Sequence, residues 1–301
     1  MKRFSYFFLL LVFSSALFLT CASTHNLASS ENTRSSVWKI ERDGHTLYLG
    51  GSIHILRDDD FPLPIAYDRA YSSSSALVLE ADIDQMEDDE VIDYLMSHMI
   101  LPDYQTLDTV LDAETYEMLE AKASEYGLPL ELVYNYKPSM VMMMLSGFQI
   151  QEFGFSQQGI DAYFLHKAED EHKPLYFLEP VEAQIAMMVS MGEGYEDDYV
   201  RYSLYDMENT ELFLDDLLED WRTGRASSTE AAALEMQEEW PALYQSLFCD
   251  RHDEWMPQIE RFLESDSTYF VVVGFAHIHG PDGLLQRLSE RGYSIEQYAV
   301  Q

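Results

Sequence analysis

The chain has 301 residues, of which 47% are hydrophobic and 13% aromatic, enough apolar material for one large core or two modest ones and too much for a disordered polymer. Acidic residues number 54 against 18 basic ones, a formal net charge of -36, so the surface repels nucleic acid and DNA and RNA are excluded as partners. The only two cysteines are Cys21 and Cys249, which rules out a disulfide framework or a Cys-rich metal site.

In chain order, Lys2 and Arg3 form a short positive region ahead of an apolar stretch from Tyr6 to Thr20. Small and polar residues follow. This layout predicts a secretory signal over residues 1–22, too short for a comfortable membrane span. Two outcomes stay open. Cleavage follows Ala22, or Phe18-Leu19-Thr20 acts as a loose lipobox and Cys21 carries lipid that anchors the protein to a membrane. Either places the protein in the cell envelope or outside the cell. Residues 23–35, rich in Ser, Asn and Thr, read as a flexible tether to a domain over 36–301.

The domain opens with strand-like runs, Val37 to Glu41 and Thr46 to Gly50, on either side of Asp43-Gly44, a hairpin turn signal. Ala76 to Ala81 reads as a buried strand carrying Glu80. Helical spacing then runs through Met86–Met99, Ala113–Tyr126, Lys137–Gln151 and Gly159–Ala168. A strand is expected at Leu175–Leu178. Helices are expected over Val181–Met191, Asp206–Trp221, Ser228–Phe248 and Asp253–Leu263. Strands at Tyr269–Val273 and Ser294–Tyr298 enclose a last helix over Asp282–Arg291. The fold class is therefore α/β: a mixed sheet drawn from both ends of the chain with a helical middle or cap.

Two segments carry chemistry. Gly51-Ser52-Ile53-His54 and Gly274-Phe275-Ala276-His277 each put a histidine just past a buried strand, where α/β sheets open into a crevice. Glu80 adds a carboxylate to a third strand end, and an acid in Ala76-Leu77-Val78-Leu79 is costly to bury without a partner. Two imidazoles and a carboxylate, His54, Glu80 and His277, suit a divalent ion, zinc included.

These residues carry a family resemblance. The chain resembles the TraB/PrgY/GumN family, which includes the TIKI-type metalloproteases, through Leu49-Gly50-Gly51-Ser52-Ile53-His54, Leu77-Val78-Leu79-Glu80-Ala81-Asp82 and Gly159-Ile160-Asp161. It continues through Leu178-Glu179 with Glu182 and Gln184, Arg251, and Tyr269 to His277. The resemblance implies a metal-dependent hydrolase acting on peptide or protein substrates, with manganese or cobalt as the ion. It assigns Glu80, Arg251 and His277 to catalysis and His54, Glu80 and His277 to the metal. Arg251 would stabilise a developing oxyanion, the alternative being a surface ion pair with Asp250 or Glu254. The chain departs from the family in having His252 where asparagine is common, and in His279, read as solvent-facing or as an extra ligand on the same face of a strand as His277. Asp161 and Glu182 fit capping or packing as well as catalysis. A non-enzymatic alternative is a peptide or pheromone binder, with the Met-rich helix around Met140 to Met144 as an apolar surface.

Overall fold

The computed structural model describes residues 34–156 and 158–300; the expected export signal, the Cys21 lipid site and nearly all of the tether lie outside the described residues. No helix among the described residues is long and apolar enough to cross a membrane.

Six strands form one mixed sheet: β1 (Val37–Arg42), β2 (His45–Ser52), β3 (Ala76–Leu79), β4 (Leu175–Phe177), β5 (Tyr269–Gly274) and β6 (Ser294–Gln297), in the order β4-β3-β5-β2-β1-β6. β1 and β2 make the expected hairpin, with Asp43 and Gly44 both at positive φ (52° and 89°), as a two-residue primed turn demands. β1 pairs antiparallel with β6, closing the sheet with the far end of the chain. The remaining pairs, β2 with β5, β5 with β3 and β3 with β4, are all parallel. Four strands therefore end on the same edge. Their near-continuous apolar runs fit strands covered on both faces.

The mixed sheet and helical middle match the expectation, with one refinement. β4 comes from within the helical stretch and extends the sheet at its edge. Long helical excursions leave after β3 and after β4, both from the shared edge. The helix expected over Asp206–Trp221 is Thr210–Thr223, preceded by an additional helix, Glu196–Met207, that was not expected. The one expected over Ser228–Phe248 is divided: Ser227–Glu239 stops where Trp240-Pro241 interrupts it, because proline lacks the N–H that continuation needs. Beyond that break, a π-helical turn over Gln245–Cys249 runs directly into the helix Asp250–Leu263.

Two apolar clusters fill the molecule. The first joins the sheet to the helices Ile65–Ser72, Ile160–Asp170, Thr210–Thr223 and Asp250–Leu263. The second is helical and takes in Met140, Met142 and Leu145, so the Met-rich helix is core filling and its buried methionines offer no docking surface. Neighbouring residues divide between the two. Leu79 and Phe275 belong to the first, while Ala81 and Ala276 belong to the second. The strand ends carrying Glu80 and His277 thus lie on the seam.

Close backbone contact sets the height of the β2 end. The Ile160 N–H donates to the Ile53 carbonyl at 3.1 Å, and a Cβ on Gly159 would collide with the backbone of Ile53 and His54. Gly159→Ala should therefore destabilise by about 1–3 kcal/mol through overpacking. Gly147, inside the helix Pro138–Glu152, has open space around a Cβ, and Gly147→Ala should stabilise by about 0.5–1 kcal/mol. Urea denaturation of the two variants should give shifts of opposite sign.

Candidate active site

Each of the four parallel strands delivers a polar side chain just beyond its C-terminal end. β2 is followed by His54, β3 by Glu80, β4 by Glu179 and β5 by His277. Parallel strands share one carboxyl edge, so four segments far apart in sequence meet there. The helix Asp250–Leu263 lays Arg251, His252 and Trp255 against the group, and Ile160–Asp170 contributes Asp161 from its first turn.

Arg251 occupies the centre. Its side chain is only 11% exposed and carries two carboxylates: Nη2 donates to Glu80 Oε2 and Glu179 Oε1, each at 2.6 Å, and Nε donates to Glu179 Oε2 at 3.1 Å. Its Nη1 donates to His277 Nε2 at 3.0 Å, and the guanidinium stacks 4.5 Å from the Trp255 ring centroid. The surface ion pair weighed for Arg251 is thus replaced by an interior one, and its donors are engaged on Glu80, Glu179 and His277. Glu80 also accepts from the Gly274 backbone N–H at 2.5 Å and from Gln184 Nε2 at 3.2 Å. Glu179 accepts from Gln184 at 2.8 Å and from Trp255 Nε1 at 3.0 Å. The cost of burying Glu80 is met here by charge pairing and hydrogen bonds.

The two histidines differ in surroundings. His54 Nδ1 lies 2.9 Å from Asp161 Oδ2, and Ser52 Oγ donates to Asp161 Oδ1 at 2.9 Å. Burial alone would lower the His54 pKa. The Asp161 charge and hydrogen bond, aided by the Glu80 charge, outweigh it and raise the value to about 9. Asp161 is held below the usual carboxylate range; burial opposes this, and the His54 charge and the bonds from His54 and Ser52 prevail. His277 goes the other way. Burial first, then the charge of Arg251, push it well below the ordinary imidazole value. His252, which contacts His277, is lowered to about 3, chiefly by burial.

His54, Glu80 and His277 do come together around Gly274. A Cβ on that glycine would lie 3.3 Å from Glu80 Oε1, 3.3 Å from His277 Cδ2 and 3.4 Å from His54 Nε2. A small pocket opens there, lined by Ser52, His54, Glu80, Asp161, Gln184 and Gly274 with Leu79, Ala81 and Ile83. The His277 carbon, rather than a nitrogen, faces this cradle; its Nε2 is turned to Arg251 and stands 3.8 Å from Glu80 Oε1. Among the described residues no group of three His, Cys, Asp or Glu side chains is placed to hold a metal ion.

Several expectations change. His277 ends a 3-10 turn, Phe275–His277, rather than a strand, so His279 does not share its direction. His279 is partly buried, packing against Trp38 at 4.9 Å and Phe275 at 5.8 Å between ring centroids, away from the site. Glu182 is exposed, and its neighbour Gln184 is the residue that reaches the acids. Asp161 serves His54 and Ser52. Glu179 and His252 received no role from the sequence, although Glu179 follows β4 as Glu80 follows β3, and that shared placement was a usable signal.

The His54–Asp161 pair gives a titration with a defined sign. A histidine raised to about 9 in the folded state contributes stability that is full below its ordinary value of about 6.5 and is lost as pH rises through about 9. NMR titration should find His54 still protonated at neutral pH. In Asp161→Asn, where burial meets weaker opposition, its pKa should fall and the alkaline loss of stability should shrink. An unchanged His54 titration in that variant would refute the assignment.

The chain is similar to the uncharacterized protein YbaP of Escherichia coli K12 and to its counterpart from Shigella flexneri, each 25% identical over 245 residues, covering 80% of this chain and 87% of the relative. No solved structure matches significantly. The model of the TraB/PrgY/gumN family matches residues 36–297, a span that contains every side chain of the site, and the chain belongs to that family.

Proposed function

We propose that this protein is a hydrolase of peptide or amide bonds acting in the cell envelope or outside the cell. The observation that carries the reading is the meeting of His54, Glu80, Glu179 and His277 beyond four parallel strand ends, beside a small pocket at Gly274, where an added methyl would crowd Glu80, His277 and His54. Paired histidines with pKa values driven apart are what acid–base chemistry at one centre needs. His54, charged near neutral pH and aimed by Asp161, is suited to donate a proton to a leaving amine. His277, neutral, would accept one at Nε2 once its contact with Arg251 is released. Arg251 holds Glu80 and Glu179 in place.

A divalent ion, manganese or cobalt with zinc as an alternative, belongs to the same proposal, as does a place among the TIKI-type metalloproteases. The donor chemistry and the cradle at Gly274 suit such an ion. Glu80 presents an oxygen to that cradle; His54 would join by losing its Nε2 proton, and His277 by giving up its contact with Arg251. When bound, the ion would supply electrophilic activation of a carbonyl and of water.

The test is cleavage of a peptide library by the purified protein, with bound metal measured and with manganese, cobalt or zinc added back after chelation. His54→Ala and Glu80→Gln should each lower turnover by about 100-fold or more. Full activity in both variants would end the hydrolase reading. Peptide binding without cleavage that survives loss of both His54 and His277 would favour the binder instead.

A further inference from the structure

His277 is bonded through both ring nitrogens, and the partners leave little freedom over where its proton sits. On one side, Arg251 Nη1 stands 3.0 Å from Nε2. A guanidinium only donates, so Nε2 must accept and carry no hydrogen. On the other side, His277 Nδ1 lies 2.8 Å from His252 Nε2. His252 is fully buried, and its own Nδ1 lies 2.8 Å from the Asp282 backbone carbonyl. A carbonyl only accepts, so His252 carries its hydrogen on Nδ1 and its Nε2 is an acceptor. One arrangement of two neutral rings satisfies all three contacts. His252 donates to the Asp282 carbonyl, His277 donates to His252, and Arg251 donates to His277. The low pKa values of both rings agree with this neutral pairing. Packing fixes the ring planes as well, with Phe248 and Trp255 lying 5.2 and 4.8 Å from the His277 ring centroid.

We infer that His252 is a positioning residue: by accepting from His277 Nδ1 and anchoring on the Asp282 carbonyl, it sets the tautomer of His277 so that Nε2 carries no hydrogen and its lone pair receives the Arg251 N–H. The orienting group here is a second imidazole backed by main chain, a neutral counterpart of the Asp161 carboxylate behind His54. The two histidines are thus held by opposite devices. The charged partner keeps His54 protonated, and the neutral relay keeps His277 unprotonated at Nε2.

The inference rests on the reading of His277 as part of the hydrolytic site, but its test does not depend on turnover. Nitrogen-15 NMR of the full, metal-stripped protein, with the His277 signals assigned through His277→Gln, reports which ring nitrogen carries hydrogen. In the wild type, Nδ1 should be protonated and Nε2 bare. His252→Gln, which keeps an acceptor at the reach of Nε2, should preserve that pattern. His252→Met, of similar reach without a strong acceptor, should lose it while thermal melting confirms folding. Where turnover is measurable, kcat should fall about 10–100-fold in His252→Met and stay within a few-fold of wild type in His252→Gln. A wild-type His277 protonated at Nε2 would overturn the inference. So would a folded His252→Met that keeps the wild-type tautomer, or a His252→Gln that loses it. A correct tautomer pattern in a protein that cleaves nothing would leave the relay standing and count only against the hydrolase reading.

Discussion

The site depends on one buried guanidinium. Glu80 and Glu179 end neighbouring parallel strands, and two carboxylates at that distance from water would repel each other and resist burial. Arg251 lies between them and binds both. It also ties the helix Asp250–Leu263 to the sheet edge and reaches His277, so one side chain links β3, β4 and β5 to the helix that covers them. Breaking such a pair by removing one partner typically costs about 3–5 kcal/mol, because the other charge stays buried. Gln184, Trp255 and the Gly274 N–H take up further carboxylate lone pairs, which is the condition under which a buried ion group holds a single geometry.

This polar group sits where the two apolar clusters meet. Leu79 packs with the sheet and Ala81 with the helices, and Glu80 stands between them. The same division holds on either side of His277, with Ala276 in the helical cluster and Ile278 in the sheet cluster. Cores on both sides exclude water and raise the strength of every polar contact at the seam. The small pocket beside Gly274 is the opening into it. The π-helical turn just before Arg251 places Phe248 against His277, so an irregularity of the helix becomes one wall of the site.

The local chemistry then separates two histidines of the same motif. His54 faces a carboxylate, itself held by Ser52, and is kept charged. His277 faces a guanidinium and a second imidazole, and is kept neutral. Burial alone would neutralise both rings. The sign of the nearest charge decides which one resists.

Much of this was legible in the residues. The hairpin at Asp43-Gly44, the apolar runs of the parallel strands, the helical middle and the two Gly-x-x-His segments at strand ends follow from periodicity, turn chemistry and glycine placement, which are local properties. Glu80 was legible too, because a carboxylate in an apolar strand needs a partner. The identity of that partner was not. Arg251 comes 171 positions later, and only the parallel pairing of β3, β4 and β5 places its helix over Glu80. His252 read as a departure from a pattern and His279 as solvent-facing or an extra ligand beside His277. The turn after β5 is helical rather than extended, which sends His279 to Trp38 and leaves His277 facing His252. The sequence by itself determined which groups must be buried and what kind of neighbour each requires. Tertiary structure alone decided which neighbour that is, because such contacts join segments whose separation along the chain carries no information about their distance in space.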